Sequence, residues 1–407
     1  MSRRKIVAIV LAGGAGGRMD VLTRERAKPS LPFGGVFQLV DFPLSNLQHS
    51  GVDHVWLSVQ YLPSSLDNEV ANGRPWDLDR TLGGFRLLMP QEGVGGDEDG
   101  LASGNADVLF RVRDQIRAAD PEVLLVLSSD HVYRLDYDEA IARHDEKNAE
   151  CTVVTTVVAR DEAAHHATIE ANRLGRVTNV DDKPDRPTTG VVATEIFVYD
   201  PTVLITLLEQ LHSELTERAD PDETGLGDFG DHLLPRLVER GSVYEHRMSG
   251  YWKDVGRPDT YFAAHRDLLE SDLGVLGVPG WPILTRTPQG PPARVHAGAA
   301  VEDSLLSPGC QVHGVVRRSI LGPNVTVEAG ATVTDAVVFA GVRIEAGARV
   351  SWSIIDTDVV VGADAQVGGP PEGDLPTADE LVLVGRESVI AAGATLAPGA
   401  RLEPGTT

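Results

Sequence analysis

Over the first two thirds of the chain, short continuous apolar runs alternate with segments whose apolar residues recur at helical spacing. The runs at 6–11, 55–59, 123–127, 152–158 and 196–199 predict strands, and the spacing over 107–119 and 137–147 predicts helices between them. This alternation predicts an α/β layer fold on a mostly parallel sheet, occupying residues 1–270. Residues 271–294 are rich in Gly and Pro, as in Pro279-Gly280-Trp281-Pro282 and Gln289-Gly290-Pro291-Pro292, and predict a linker or an extended crossover.

From 295 to 407 the period changes. Aliphatic residues recur every six positions: Val327 and Val333, Ile344 and Val350, then Ile355, Val361 and Val367. Small residues fill the gaps, as in Glu328-Ala329-Gly330-Ala331 and Glu345-Ala346-Gly347-Ala348. This hexapeptide pattern predicts a left-handed parallel β-helix, with each aliphatic residue pointing into a narrow prism. A β-sandwich would alternate with period two and carry longer turns. The six-residue spacing returns at Ile390, Leu396 and Leu402, after an interruption at 368–383 that predicts a loop bulging from one corner.

With 407 residues, the chain has room for two or three domains at roughly 100–200 residues each. Its net charge of -24 gives no general attraction for nucleic acid or an anionic membrane. A phosphorylated substrate would need a local basic patch, and Arg18, Arg24, Arg26 and Lys28 supply one. Cys151 and Cys310 lack metal-ligand spacing and predict free thiols in a reducing cytoplasm. Arg3-Arg4-Lys5 before the first apolar run imitates the start of a signal peptide. The run breaks at Gly13-Gly14, however, and a buried first strand feeding a phosphate loop fits better. No stretch is long and apolar enough to span a membrane.

The sharpest chemical signal is Leu11-Ala12-Gly13-Gly14-Ala15-Gly16-Gly17-Arg18, directly after the first predicted strand. Glycines there let backbone N–H groups approach phosphate and base closely, and the planar fork of Arg18 suits phosphate oxygens. A dinucleotide fingerprint would need glycine where Met19 stands, and a P-loop would need Gly-Lys-Ser/Thr. The continuation Leu22-Thr23-Arg24-Glu25-Arg26-Ala27-Lys28-Pro29 adds a second cation, Lys28. Asp130 follows the strand predicted at 123–127, at the strand end where α/β sites gather.

These segments resemble the ADP-glucose pyrophosphorylase (glucose-1-phosphate adenylyltransferase) family of sugar-1-phosphate nucleotidylyltransferases. The likeness continues through Pro32-Phe33-Gly34-Gly35, Asp41-Phe42-Pro43-Leu44-Ser45-Asn46, Gln60-Tyr61, Gly104-Asn105-Ala106-Asp107 and Asp130-His131-Val132-Tyr133. Asp182-Lys183-Pro184, Asp228-Phe229-Gly230 and Tyr251-Trp252-Lys253-Asp254-Val255-Gly256 complete it, and the β-helix matches too. The resemblance implies a Rossmann-like (GT-A-like) nucleotidyltransferase domain followed by the β-helix, and a reaction of NTP with a sugar 1-phosphate that releases pyrophosphate. It further implies catalytic roles for Arg18, Lys28 and Asp130, and Mg²⁺ held by Asp130 and Asp254. Leu11, Ala12, Gly13, Gly14, Gln60, Gln91, Glu92, Gly104 and Asn105 would contact the nucleotide. Asp182, Lys183 and Glu195 would contact the sugar phosphate. A homo-oligomer, dimer or tetramer, is also implied, with no nucleic-acid or membrane partner.

Four departures from the family stand out. Its usual Ser-Met-Gly at the sugar pocket is Ala193-Thr194-Glu195, and its Glu-Lys-Pro is Asp182-Lys183-Pro184. Its Gln-Gln near the base is Gln91-Glu92. A carboxylate suits the two adjacent donors of guanine, so Glu92 points to GTP, or else to solvent. Val36 and Gln38 replace the lysine and arginine usual for a sugar-phosphate activator. These changes are similar to a specialised branch, the valienol-1-phosphate guanylyltransferases. Ordinary ADP-glucose synthesis is the alternative. A non-catalytic regulatory subunit is disfavoured, because Arg18, Lys28, Asp130, Lys183 and Asp254 are all present. An acyltransferase is also disfavoured, since His296 and His313 lie in no recognisable motif.

Overall fold

The computed structural model describes residues 4–14, 16–89, 102–216 and 224–407. The first apolar run forms β1 (Ile6–Ala12), in the middle of a nine-stranded sheet. Val7, Ala8, Ile9 and Val10 are wholly shielded from solvent, as a strand covered on both faces requires. The other strands are β2 (His54–Val59), β3 (Gly84–Leu88), β4 (Val123–Ser128), β5 (Cys151–Val157), β6 (Ala167–Ala171), β7 (Val177–Asp182), β8 (Val191–Tyr199) and β9 (Val243–Arg247). Their spatial order is β7-β6-β8-β4-β1-β2-β3, with β5 also paired to β8 and β9 paired to β5.

The sheet is mixed, not mostly parallel. β1 runs parallel to β2 and β4, but β8 runs antiparallel to β4, β5 and β6, and β7 antiparallel to β6. For one pair the physical reason lies in the connection: no helix separates β6 from β7, and the short return makes them oppose, while β8 flanks β6 on its other side and also runs against it.

Helix Tyr137–Lys147 forms where the spacing predicts it, started by the Asp136 carboxylate accepting from the Asp138 N–H. The helix predicted over 107–119 is instead two, Asn105–Arg111 and Arg113–Ala119, broken at Val112. Arg113 turns back over the Phe110 ring at 4.0 Å and donates to the Phe110 carbonyl, which a continuous helix would have used. Helices Asn105–Arg111 and Pro201–Thr216 cover one face of the sheet, and Asp41–His49, Pro63–Val70 and Tyr137–Lys147 cover the other.

Beyond Arg294 the chain winds as a triangular prism of parallel two- to seven-residue strands. One face stacks Arg294–Val295, Gln311–Val312, Thr326–Val327, Arg343–Ile344, Val360–Val361 and Val389–Ile390. The sixth-position aliphatics Val327, Val333, Ile344, Val350, Ile355, Val361 and Val367 fill the interior, as the hexapeptide pattern predicts. The interruption ends earlier than expected, because Val382–Val384 already pairs in register with Ser353, Ile354 and Ile355.

The Gly/Pro segment lies along the first domain. The Leu284 N–H donates to Ser45 Oγ at 2.8 Å, and Trp281 Nε1 donates to Asn46 Oδ1 at 2.9 Å. The two parts share an apolar interface in which Leu22, Phe33, Phe42, Tyr261 and Phe262 meet Val337, Phe339, Ile354 and Leu383. Ion pairs flank it: Arg26 with Asp356 at 2.5 Å, Asp20 with Arg401 at 2.9 Å, Arg24 with Glu403 at 3.2 Å, and Arg266 with Asp335.

Candidate active site

Parallel pairing sets Leu11 of β1 beside Ser128 of β4, so the segments that follow both strands open on one edge of the sheet. The Ser129 hydroxyl donates to the Leu11 carbonyl at 2.7 Å and ties the two together. A cavity of about 230 Å³ lies there. Leu11, Ala12, Gly13 and Gly14 line it from the first loop, and Arg18 and Lys28 from the segment beyond. Asn105, Asp130, Lys183, Glu195 and Asp254 also reach it.

Asp254 arrives by a separate device. Trp252–Asp254 pairs antiparallel with His131–Tyr133, which sets Asp254 opposite His131 and next to Asp130. Lys28 is buried and forms an ion pair with Asp130. Burial works against its charge, but the Asp130 and Asp254 carboxylates outweigh that and raise its pKa. Burial likewise works against ionised Asp130, yet Lys28, His131 and a 2.5 Å hydrogen bond from Ser128 Oγ hold it well below the usual carboxylate range. Asp130 is therefore ionised at every physiological pH.

A smaller adjoining pocket, about 60 Å³, takes in Asp182 with Asn105, Lys183, Ala193, Glu195 and Asp228. Lys183 Nζ stands 3.6 Å from Asp182 Oδ2. A Cβ on Gly230 would lie 2.8 Å from Asp182 Cγ, so glycine there makes room for the carboxylate. Glu195 sits where the β8 register shifts, between Ala193 and Phe197, at a φ of 54° that normally selects glycine. Its side chain opens onto the cleft. Desolvation at the cleft wall raises its pKa, against the pull of His131 and with the push of Asp130 and Asp254.

Several sequence-predicted residues stand outside the lining of this cavity. Gln60 does not line the cavity; it packs under the glycine loop, where a Cβ on Gly13 would come within 2.6 Å of Gln60 Nε2. Gly104 is also outside the lining and is packed on the Gly227 carbonyl, 2.2 Å from where its Cβ would be. Arg24 and Arg26 leave the basic patch, since their guanidinium groups face Glu403 and Asp356 across the domain interface. Gln91 and Glu92 lie outside the described residues. Sequence reasoning missed Ser128 and His165 as lining residues, and quoted His131 and Asp228 only as parts of motifs. Adjacency to Asp130 was the available signal for His131; nothing marked His165.

The architecture around this cleft, a glycine loop and paired carboxylates at the edge of an α/β sheet, is that of a nucleotide-handling transferase. Comparison with known proteins agrees: residues 7–271 match the family model described as Nucleotidyl transferase, and residues 291–380 the one described as GlmU-like, C-terminal hexapeptide. The chain belongs to the nucleotidyl transferase family and is an enzyme of that class. It is 36% identical over 397 residues to the glucose-1-phosphate adenylyltransferase of Thermomicrobium roseum, covering 95% of this chain and 90% of the relative. It is 33% identical over 393 residues to the enzyme of the same name from Clostridium perfringens strain SM101, covering 96% and 98%. Among the described residues, no helix is long and apolar enough to cross a membrane.

Proposed function

We propose that the protein joins a nucleoside triphosphate to a glucose-like 1-phosphate and releases pyrophosphate. The observation that carries this reading is Lys28, buried against Asp130 and beside Asp254, at the mouth of the glycine loop and next to a second pocket holding Lys183. In this reaction an oxygen of the sugar phosphate attacks the α-phosphorus and pyrophosphate departs in line, so catalysis is mostly positioning and charge neutralisation. Arg18 and Lys28 hold the triphosphate and steady the leaving pyrophosphate. Lys183 holds the acceptor phosphate, and Asp182 faces the ring hydroxyls. Asp130 and Asp254 suit a hard divalent cation such as Mg²⁺, which supplies charge neutralisation at the phosphates when bound.

For the substrates, we favour GTP and valienol 1-phosphate. The support is that Glu195 and Asp182, two departures from the usual pocket, both line the acceptor side. The names of the relatives favour the second reading, ATP with glucose 1-phosphate. Pyrophosphate release with Mg²⁺, each NTP and a panel of 1-phosphates separates the two. GTP with valienol 1-phosphate is expected to be fastest, and preference for ATP with glucose 1-phosphate would replace this reading with the second.

A further inference from the structure

Acceptor recognition alone does not explain where Glu195 sits. β8 meets β4 at Ile196 opposite Leu127, which brings Glu195 alongside Ser128 and close to Asp130. Ligand-capable atoms of Asp130, His131 and Glu195 all lie within 4.8 Å of one another. His131 is 2% exposed, and its Nδ1 is 3.1 Å from the Thr194 carbonyl, an acceptor, so Nδ1 carries the proton. The other ring nitrogen, Nε2, makes no hydrogen bond among the described residues. It faces Asp130 Oδ1 at 3.6 Å and Asp254 Oδ1 at 3.9 Å. The side chain is thus almost wholly buried, and its second nitrogen is turned toward carboxylates without a hydrogen bond to either, as a ligand atom would be. An octahedral divalent ion sets its ligand atoms roughly 3–4 Å apart. That is slightly closer than they stand here, and Glu195, open to the cleft, has room to close the gap.

We propose that Glu195 and His131 join Asp130 as direct ligands of one divalent cation. The inference rests on the proposed cation-assisted reaction, and it assigns to Glu195 a role that a glycine at this position could not fill. An imidazole among carboxylates also shifts the site toward first-row transition ions such as Mn²⁺, relative to an all-oxygen set.

The test is a Mn²⁺ titration of the full chain without substrates, followed by electron paramagnetic resonance. Glu195→Gln is expected to weaken Mn²⁺ binding about tenfold or more, and Asp130→Asn at least as much. Pulsed measurements should show an imidazole-nitrogen coupling that His131→Gln abolishes and Glu195→Gln keeps. Glu195→Gly is the second variant, should the glutamine form fold poorly: it relieves the positive φ, so it is expected to melt higher while losing the cation. If Asp130→Asn weakens Mn²⁺ binding and neither Glu195 variant does, this inference falls and the cation reading stands. If none of the variants changes binding, both fall. Absence of the nitrogen coupling removes His131 from the ligand set.

Discussion

Gly256 shows how little slack the site has. A Cβ there would lie 2.9 Å from Asp254 Oδ1 and 3.3 Å from Lys28 Nζ. Gly256→Ala should therefore push apart Asp254 and Lys28, the groups proposed to hold the cation and the triphosphate, while leaving the fold intact. A misplacement on the order of 1 Å costs about a hundredfold in turnover, read as pyrophosphate release beside an unchanged circular dichroism spectrum. Asp130→Asn is expected to abolish most turnover with the fold retained, and near-normal activity would remove Asp130 from its assigned role. A different residue sets a pH dependence of stability. Burial pushes the Asp41 carboxyl up to about 8, although Gln38 and Thr285 hydrogen-bond to it. The folded chain keeps that proton up to pH near 8, whereas an unfolded Asp releases it near pH 4. The stability from this group is complete below about pH 4 and is lost as pH rises toward 8. Asp41→Asn should flatten the melting temperature against pH across that window and melt higher than the unsubstituted protein above it. At this scale Arg18, Lys28, Asp130 and Asp254 were legible, because each stands in a dense local motif. The juxtaposition of Asp254 with His131 was not, because it comes from strand pairing between segments that no local spacing links.

Among the elements, strands were read well where apolar runs are continuous and less well where chain direction mattered. Periodicity shows that a strand exists but is silent on whether its neighbour runs parallel, so the antiparallel β8 and its bulge at Glu195 stayed hidden. The break at Val112 was equally invisible, since both halves keep helical spacing. In the β-helix, the doubled aliphatics Val337-Val338 and Ile354-Ile355 carried a signal left unused. Val338 and Ile355 point inward, while Val337, Ile354 and Leu383 stack in register on the outside and meet the first domain. Leu383→Ala should consequently cost about 2–5 kcal/mol, as for other fully buried leucines. Leu375, 45% exposed in the loop of the same coil, should stay within about 0.5 kcal/mol when replaced by Ala. Chemical denaturation of both variants checks the contrast, and equal losses would contradict the docking role of this face.

Across the whole molecule, the β-helix grips the segment that leads from Arg18 to Lys28. Asp20, Arg24 and Arg26 each bind a partner on it, and Arg26 with Asp356 is the buried pair. Asp356→Ala strands the Arg26 charge and is expected to cost about 3–5 kcal/mol, seen in denaturation and in a parallel loss of turnover. We further propose that the protein is a homo-oligomer. Val295, Leu305 and Val389 leave apolar side chains exposed on the β-helix, and a monomeric mass in solution would refute this. The grip has a consequence for biosynthesis. Arg26 and Asp20 find partners 330 and 381 residues later in the chain. A ribosome delivers the glycine loop early and the residues that anchor its continuation late, while domains fold in order of emergence. The anchoring of this wall of the cleft must therefore wait for residues made long after it, and nascent chains stalled before residue 356 should bind nucleotide far more weakly than the released protein.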